Sequence, residues 1–197
     1  MRPDLEIITS WIQKNERVLD LGCGSGEFLK NLHNERNVYG IGLEKDLQKI
    51  QSCLEVGVNV INQDLDSGLK NFKSNSFDTV LLAQTLQALS KPDVLIEDML
   101  RVGERGIVTF PNFGNWKSRL YLFFRGRMPI SKFMPHNWYD TPNIHFCTVK
   151  DFDLMCVEKN IKVLNKTVVN LDHQGSLAMK LFPNFFGEIA IYQITRS

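Results

Sequence analysis

VLDLGCGSGEFL, running from Val18 to Leu29, decides the fold. An apolar run reaches Asp20, passes through Gly22, Gly24 and Gly26, and enters a helical pattern. That order is a strand, a tight turn and a helix start. Glycine at alternate positions lets the backbone turn sharply and approach a ligand closely, because no side chain stands in the way.

The spacing of the glycines selects the ligand. A dinucleotide fingerprint is Gly-x-Gly-x-x-Gly, with helix amides facing a pyrophosphate. Here the third glycine comes one residue early, and Glu27 stands where it would be. A carboxylate in the first helical turn complements the helix dipole but repels a phosphate. Asp20 adds a second negative charge on the strand side. Two carboxylates around a glycine turn suit a cation, and S-adenosylmethionine (SAM) carries a sulfonium and an ammonium. NAD carries two phosphates and suits this loop poorly. The turn is therefore expected to hold the aminoacid end of SAM or of S-adenosylhomocysteine. The alternative is a bare turn, which leaves three alternating glycines behind an acidic strand end without a reason.

The 197 residues suffice for a single domain, 1–197, with a sizeable core. A formal net charge of +1 supplies no global electrostatic argument for nucleic acid. The four cysteines, Cys23, Cys53, Cys147 and Cys156, form no CxxC pair and no zinc spacing. They read as reduced thiols of a cytoplasmic protein, with no metal expected. The first residues, MRPDLEIITSWI, lack the apolar core of a signal peptide, and no apolar run is long enough to span a membrane.

In chain order, helices are expected over Pro3–Gln13, Glu27–Asn34, Leu47–Glu55, Pro92–Val102 and Thr148–Asn160. The last opens TVKD, which resembles a capping box with Asp in place of Glu. Strands are expected over Arg17–Leu21, Val38–Leu43, Val58–Ile61, Phe77–Ala83 and Gly106–Phe110. A closing antiparallel pair follows at Ile161–Asn170 and Ile189–Thr195. This alternation argues a three-layer αβα fold. Glu44 ends the second strand about twenty residues beyond the glycine turn, where a carboxylate can accept two ribose hydroxyls. Asp64 follows the third strand and has two readings, a partner for the adenine amino group beside Leu65 or a cap for the next turn. Gln84, with Thr85 and Leu86, leaves the fourth strand at the edge where ligands sit and is expected near the sulfonium.

Arg105 to Tyr139 contains no Asp or Glu but carries Arg105, Lys117, Arg119, Arg125, Arg127, Lys132 and His136. Within it Asn115–Arg125 forms an amphipathic helix pattern, with Trp116, Leu120, Phe123 and Phe124 on one side and basic residues on the other. The insertion 111–147 reads as a lid helix packed on the sheet, as a partner-docking surface, or as a membrane or nucleic-acid contact. Pro142 fixes a turn in a loop expected to fold over the ligand edge. His136, Tyr139, Asp140 and His145 are the nearby acid–base candidates, each with a structural hydrogen-bonding role as the alternative. Methyl transfer from a sulfonium is carried by the cofactor, so an enzyme needs no obvious base here. In the tail, Leu177, Leu181, Phe182, Phe185 and Phe186 surround Pro183, either packed on the sheet edge or in a partner or homodimer contact.

VLDLGCGSGEFL, GIGLEKD, QDLD, SFDTVLLAQTLQAL, RVGERGIVTFPNFGNW, RGRMP and WYDTPNIHFCT together resemble the methionine-biosynthesis MetW family. The resemblance runs from about Arg2 to Asp172, and Gln174–Phe186 is less typical. It implies a Rossmann-like class I methyltransferase fold, a seven-stranded, mostly parallel sheet with an antiparallel last strand. It implies methionine biosynthesis in support of homoserine O-acyltransferase as partner, and hands over no methyl acceptor. By motif matching SAM falls on Asp20, Gly22, Gly24, Gly26, Glu44, Asp64 and Leu65. Cys23 inside the turn and Gln84 complete the expected cofactor set. The competing expectation is an active SAM-dependent methyltransferase on a small metabolite.

Overall fold

The chain lays its first strand in the middle of the sheet and builds outward from it. The computed structural model describes residues 3–131, 135–170 and 177–197; Lys132 of the basic set, and the Arg2, Asp172 and Gln174 bounds named above, lie outside them. After α1 (Pro3–Trp11) come β1 (Arg17–Leu21), α2 (Glu27–Arg36), β2 (Tyr39–Glu44), α3 (Leu47–Glu55) and β3 (Asn59–Asn62). The chain then returns to the other side of β1 with β4 (Phe77–Ala83), α4 (Pro92–Val102) and β5 (Gly103–Pro111). Next come α5 (Trp116–Arg125), α6 (Val149–Glu158), β6 (Ile161–Val169), α7 (Leu177–Leu181), α8 (Pro183–Phe186) and β7 (Ile189–Arg196). The sheet has seven strands in the order β3-β2-β1-β4-β5-β7-β6. β7 runs antiparallel to both β5 and β6, and the remaining pairings are parallel.

Alternation along the central strands feeds two cores. Val80, Leu82, Val108 and Tyr192 face α4 and α6, where they meet Ile96, Met99 and Phe152. Leu81, Ile107 and Ile191 face the opposite layer, where they meet Ile8, Ile12, Phe28, Leu29 and Leu32 of α1 and α2. Strands buried on both faces need such near-continuous apolar runs, and FDTVLLA supplies one. α6 begins with a capping box: Thr148 Oγ1 accepts from the Asp151 amide while Asp151 accepts from the Thr148 amide.

Two expectations about packing are corrected. The apolar arc of α5 does not lie on the sheet. Phe123 and Phe124 are 80% and 75% exposed and Leu120 is exposed as well, whereas Ser118 is the residue turned inward. The cause is the start of the helix, which the Asn115 side chain caps through the Lys117 amide while its own amide group is held from below. The expectation for the tail is corrected only in part: α7 packs against the edge strand β6 with Met179 buried, and Phe186 packs against the core, but Leu177, Leu181 and Phe182 are exposed.

Candidate functional site

Strand order reverses between β1 and β4, and at such a switch point the carboxyl ends of the strands leave a crevice. A cavity of about 320 Å³ opens there. Gly22 and Glu44 form one wall, Asp64, Leu65 and Asp66 another, Gln84, Thr85 and Leu89 a third, and Pro142 and Asn143 overhang it. A groove of about 500 Å³ at the opposite, amino-terminal edge is larger, but its Arg17 and His33 side chains are already engaged. Arg17 there is paired with Asp78 at 2.9 Å, and His33 Nδ1 lies 3.0 Å from the Val38 carbonyl. The switch-point cavity is therefore the candidate site.

The glycine turn is shaped by three different constraints. Gly22, Gly24 and Gly26 all have positive φ, which favours glycine at each position. A Cβ on Gly22 would come 2.8 Å from Thr85 Oγ1, and one on Gly26 would come 3.0 Å from Cys53 Sγ. A Cβ on Gly24 would meet open space. Asp20 is buried at the end of β1 below the turn. Cys23 turns into the core, with its Sγ 3.8 Å from Cys53 Sγ, so only its backbone belongs to the turn. Burial raises both thiols above their ordinary range.

Glu44 is the ordered carboxylate of the site. Its Oε2 accepts from the Gly24 amide at 3.0 Å, and its Oε1 from the Lys45 and Asp46 amides at 2.9 and 3.0 Å. Asp64 caps the 3-10 turn Leu65–Ser67 through the Asp66 amide and also meets Lys45 Nζ at 3.3 Å. That amide, with Lys45, holds the Asp64 carboxyl below the usual range. The capping reading of Asp64 is thus realised while the residue still lines the cavity.

The lining also includes residues the sequence reading passed over. Lys45 and Lys49 set two positive charges against the three carboxylates Glu44, Asp64 and Asp66. The cavity is therefore less negative than Asp20, Glu27 and Glu44 suggest in the sequence. Lys45 directly follows Glu44 and Lys49 lies in the first turn of α3, and this closeness in sequence to the strand end was the available signal. Leu86 packs in the core instead of lining the cavity, and Ala88 and Leu89 line it.

Two covers attach at the end of β4. Gln84 has φ +55°, and its amide donates to Thr109 Oγ1 at 3.0 Å. Its side-chain Nε2 donates to Asp4 Oδ2 at 3.2 Å, which ties α1 to the site. The Gln87 carbonyl accepts from the amides of Ile144 and His145 at 2.7 and 3.0 Å, which ties down the overhanging loop. The four acid–base candidates stand outside the cavity lining. His136 lies in a small depression beyond Asn143, Tyr139 is exposed, Asp140 accepts from Asn137, and His145 Nε2 lies 3.4 Å from the Ser90 carbonyl.

A family model described as "Methionine biosynthesis protein MetW" matches residues 2–194. The chain belongs to the MetW family. The match continues past Asp172, through the tail and β7, beyond the motifs read from the sequence. Bifunctional methionine biosynthesis protein MetXA/MetW of Rhodopirellula baltica is 30% identical over 202 residues, covering 98% of this chain and 32% of that protein. The chain thus spans about a third of that relative's length. Among solved structures, a SAM-dependent methyltransferase from Mesorhizobium loti is similar at TM-score 0.71 and 14% identity, covering 98% of each chain. One from Archaeoglobus fulgidus is similar at TM-score 0.66 and 17% identity, covering 98% of this chain and 94% of its own. The [4+2]-cyclase SpnF is similar at 0.67 and 18%, covering 98% of this chain and 80% of its own. The fold is that of the SAM-dependent methyltransferases, and the cyclase shows that this fold alone does not name a reaction.

The MetW-like motif FPNFGNW has a structural role in this chain. Asn112 is fully buried, and its Nδ2 donates to the carbonyls of Asn184 and Gly187. Its Oδ1 accepts from the amides of Gly114 and Val149. Asn115, also fully buried, donates to the carbonyls of Phe186 and Gly187. Two asparagines thereby clamp α8 against the start of α5.

Proposed function

We propose that this protein binds SAM at the carboxyl edge of its sheet and supports homoserine O-acyltransferase in methionine biosynthesis. The observation that carries the reading is the relative whose name joins MetXA to MetW in one polypeptide. We read the MetXA part as the acyltransferase. Joining two parts holds them at high effective concentration, and separate chains doing the same work need a docking surface.

Gly22, Glu44, Asp64, Leu65 and Gln84 line one cavity at the switch point, which supports SAM as its occupant. Asp20 and the turn at Gly22, Cys23, Gly24 and Gly26 would hold its aminoacid end, Glu44 its ribose hydroxyls, Asp64 and Leu65 its adenine, and Gln84 would stand near the sulfonium. When bound, SAM supplies an activated methyl group on sulfur. SAM is made from methionine, so its binding here reports end-product level to the partner, provided that the free and associated states bind it with different affinity. Titration calorimetry with SAM, S-adenosylhomocysteine and NAD, beside a Gly24→Arg control, tests the pocket. Uptake of NAD without either SAM compound removes it. Acylation rates of the purified pair with and without SAM test the coupling, and an unchanged rate removes that part. The reduced thiols support a cytoplasmic setting.

The second reading, methyl transfer to a small metabolite, is favoured by Pro142 and Asn143, which line the cavity from the loop that follows α5 and would limit the size of an acceptor there. Labelled SAM with cell extract, giving no label above the Gly24→Arg control, removes that reading.

A further inference from the structure

α5 carries Leu120, Phe123 and Phe124 on the side away from the protein, while Trp116 is half-buried. At about 100° per residue, Leu120, Phe123 and Phe124 lie roughly 140–240° around the helix from Ser118, the side chain that is buried. Beside this arc the tail presents Leu181, Phe182 and Phe185, all exposed. The two apolar sets are fixed to one another. Asn112 and Asn115 hold the backbone of residues 184–187, and the Arg119 guanidinium lies 5.8 Å from the Phe185 ring centroid. A groove of about 340 Å³ lies on the tail side of Arg119, between Leu181, Phe182 and Phe185 on one wall and Lys150 and Asp153 of α6 on the other. Residues 105–139 contain no carboxylate. Lys117 is paired at 2.7 Å with Glu188 beneath the helix, so Arg119, Arg125 and Arg127 carry the outward positive charge of this segment.

We infer that the outward face of α5 and the adjoining tail form a docking surface for a folded protein partner whose contact patch is apolar at its centre and carboxylate-rich at its rim. Resting on the function proposed above, that partner is the homoserine O-acyltransferase subunit. Charge decides between occupants. A second copy of this chain docking face to face would bring two sets of Arg119, Arg125 and Arg127 together, and like charges across an interface disfavour association. An anionic membrane satisfies the charge, but a ten-residue helix held at its start by buried asparagines offers little length to lie in a bilayer. Rigid aromatic anchors inside a cationic rim match the anatomy of a protein interface, where aromatics carry the energy and the rim sets orientation.

The test uses the full chain and purified acyltransferase. Phe123→Ser with Phe124→Ser is expected to weaken association by about thirtyfold or more, as loss of a hot-spot aromatic does. Arg125→Glu is expected to weaken it and to reduce its salt dependence. Val157→Ser, an equally exposed apolar residue on α6, is the control and leaves association unchanged. SAM uptake and the thermal midpoint, read on every variant, show that the fold persists. If the wild-type chain does not associate with the acyltransferase, the proposed function fails and this occupant with it. If the wild type associates and the double variant associates equally tightly, the function stands and the surface is wrong. Two further results overturn the proposal: a wild-type dimer that the double variant splits, or binding to phosphatidylglycerol vesicles that the double variant loses while acyltransferase binding persists.

Discussion

The amide of Gly24 donates to Glu44 Oε2 across 3.0 Å, so the turn after β1 and the end of β2 are one hydrogen-bonded unit. With the Lys45 and Asp46 amides on Oε1, the carboxylate is oriented by three backbone donors while still facing the cavity. A group aimed in this way is prepared for a ligand before the ligand arrives.

Glu44→Gln replaces one acceptor oxygen by an NH2 group that faces an amide donor. We expect a loss of about 1–3 kcal/mol in unfolding free energy, measured by urea denaturation. SAM affinity is expected to fall by about tenfold or more in calorimetry if Glu44 holds the ribose as proposed, since a charge-assisted contact is then lost. Unchanged SAM affinity with reduced stability would assign Glu44 to the turn alone.

The three glycines of the turn are expected to differ. Alanine in a left-handed conformation costs about 1–2 kcal/mol at each position. At Gly22 and Gly26 the added Cβ also meets Thr85 Oγ1 and Cys53 Sγ, and overpacking adds about 1–3 kcal/mol. Urea midpoints should therefore rank Gly24→Ala as the mildest of the three.

Asn112→Ala removes partners from two amides and two carbonyls in a buried site. The expected cost is about 2–4 kcal/mol. Asn112→Asp is close in size but places a carboxylate oxygen against the carbonyls of Asn184 and Gly187, and is expected to be no better. Hydrogen exchange over residues 177–188 should accelerate in both variants, because the clamp on the tail is released.

Asp98 supplies the pH dependence. Burial pushes its carboxyl up, but the Leu69 amide at 3.0 Å and the Arg101 guanidinium at 2.9 Å hold it below its ordinary value. A depressed carboxylate pKa stabilises the folded state above the unfolded value, near 3.9, and that contribution disappears as pH falls through the folded value. The stability difference between wild type and Asp98→Asn should be constant from about pH 5 upward and shrink below about pH 4. A gap that persists at low pH would mean that geometry, not charge, carries the contribution.

Much of this molecule is legible in one dimension because its signals are local. Phe77–Ala83 and Pro92–Val102 are bounded in the structure as periodicity bounds them, since a two-residue or a 3.6-residue repeat is a property of neighbouring residues. The glycine turn and Glu44 are legible for the same reason, as each sits at a strand end that the pattern marks. The second helix runs to Arg36 instead of Asn34, because Asn37 supplies a left-handed stop two residues later than composition suggests.

The direction in which α5 faces belongs to tertiary structure. Its sequence shows an apolar side and a basic side, but inward and outward are defined only by what lies beneath. Buried Asn112 and Asn115 bond carbonyls seventy and more residues away and so orient the helix with Ser118 inward. The place of His136 outside the cavity is likewise a long-range outcome of how loops close over the sheet. Sequence alone determined the strands, the turn and the carboxylate that faces the cavity, because these follow from adjacent residues. Tertiary structure alone decided which apolar surface is left for a partner, because burial is a relation between segments far apart in the chain.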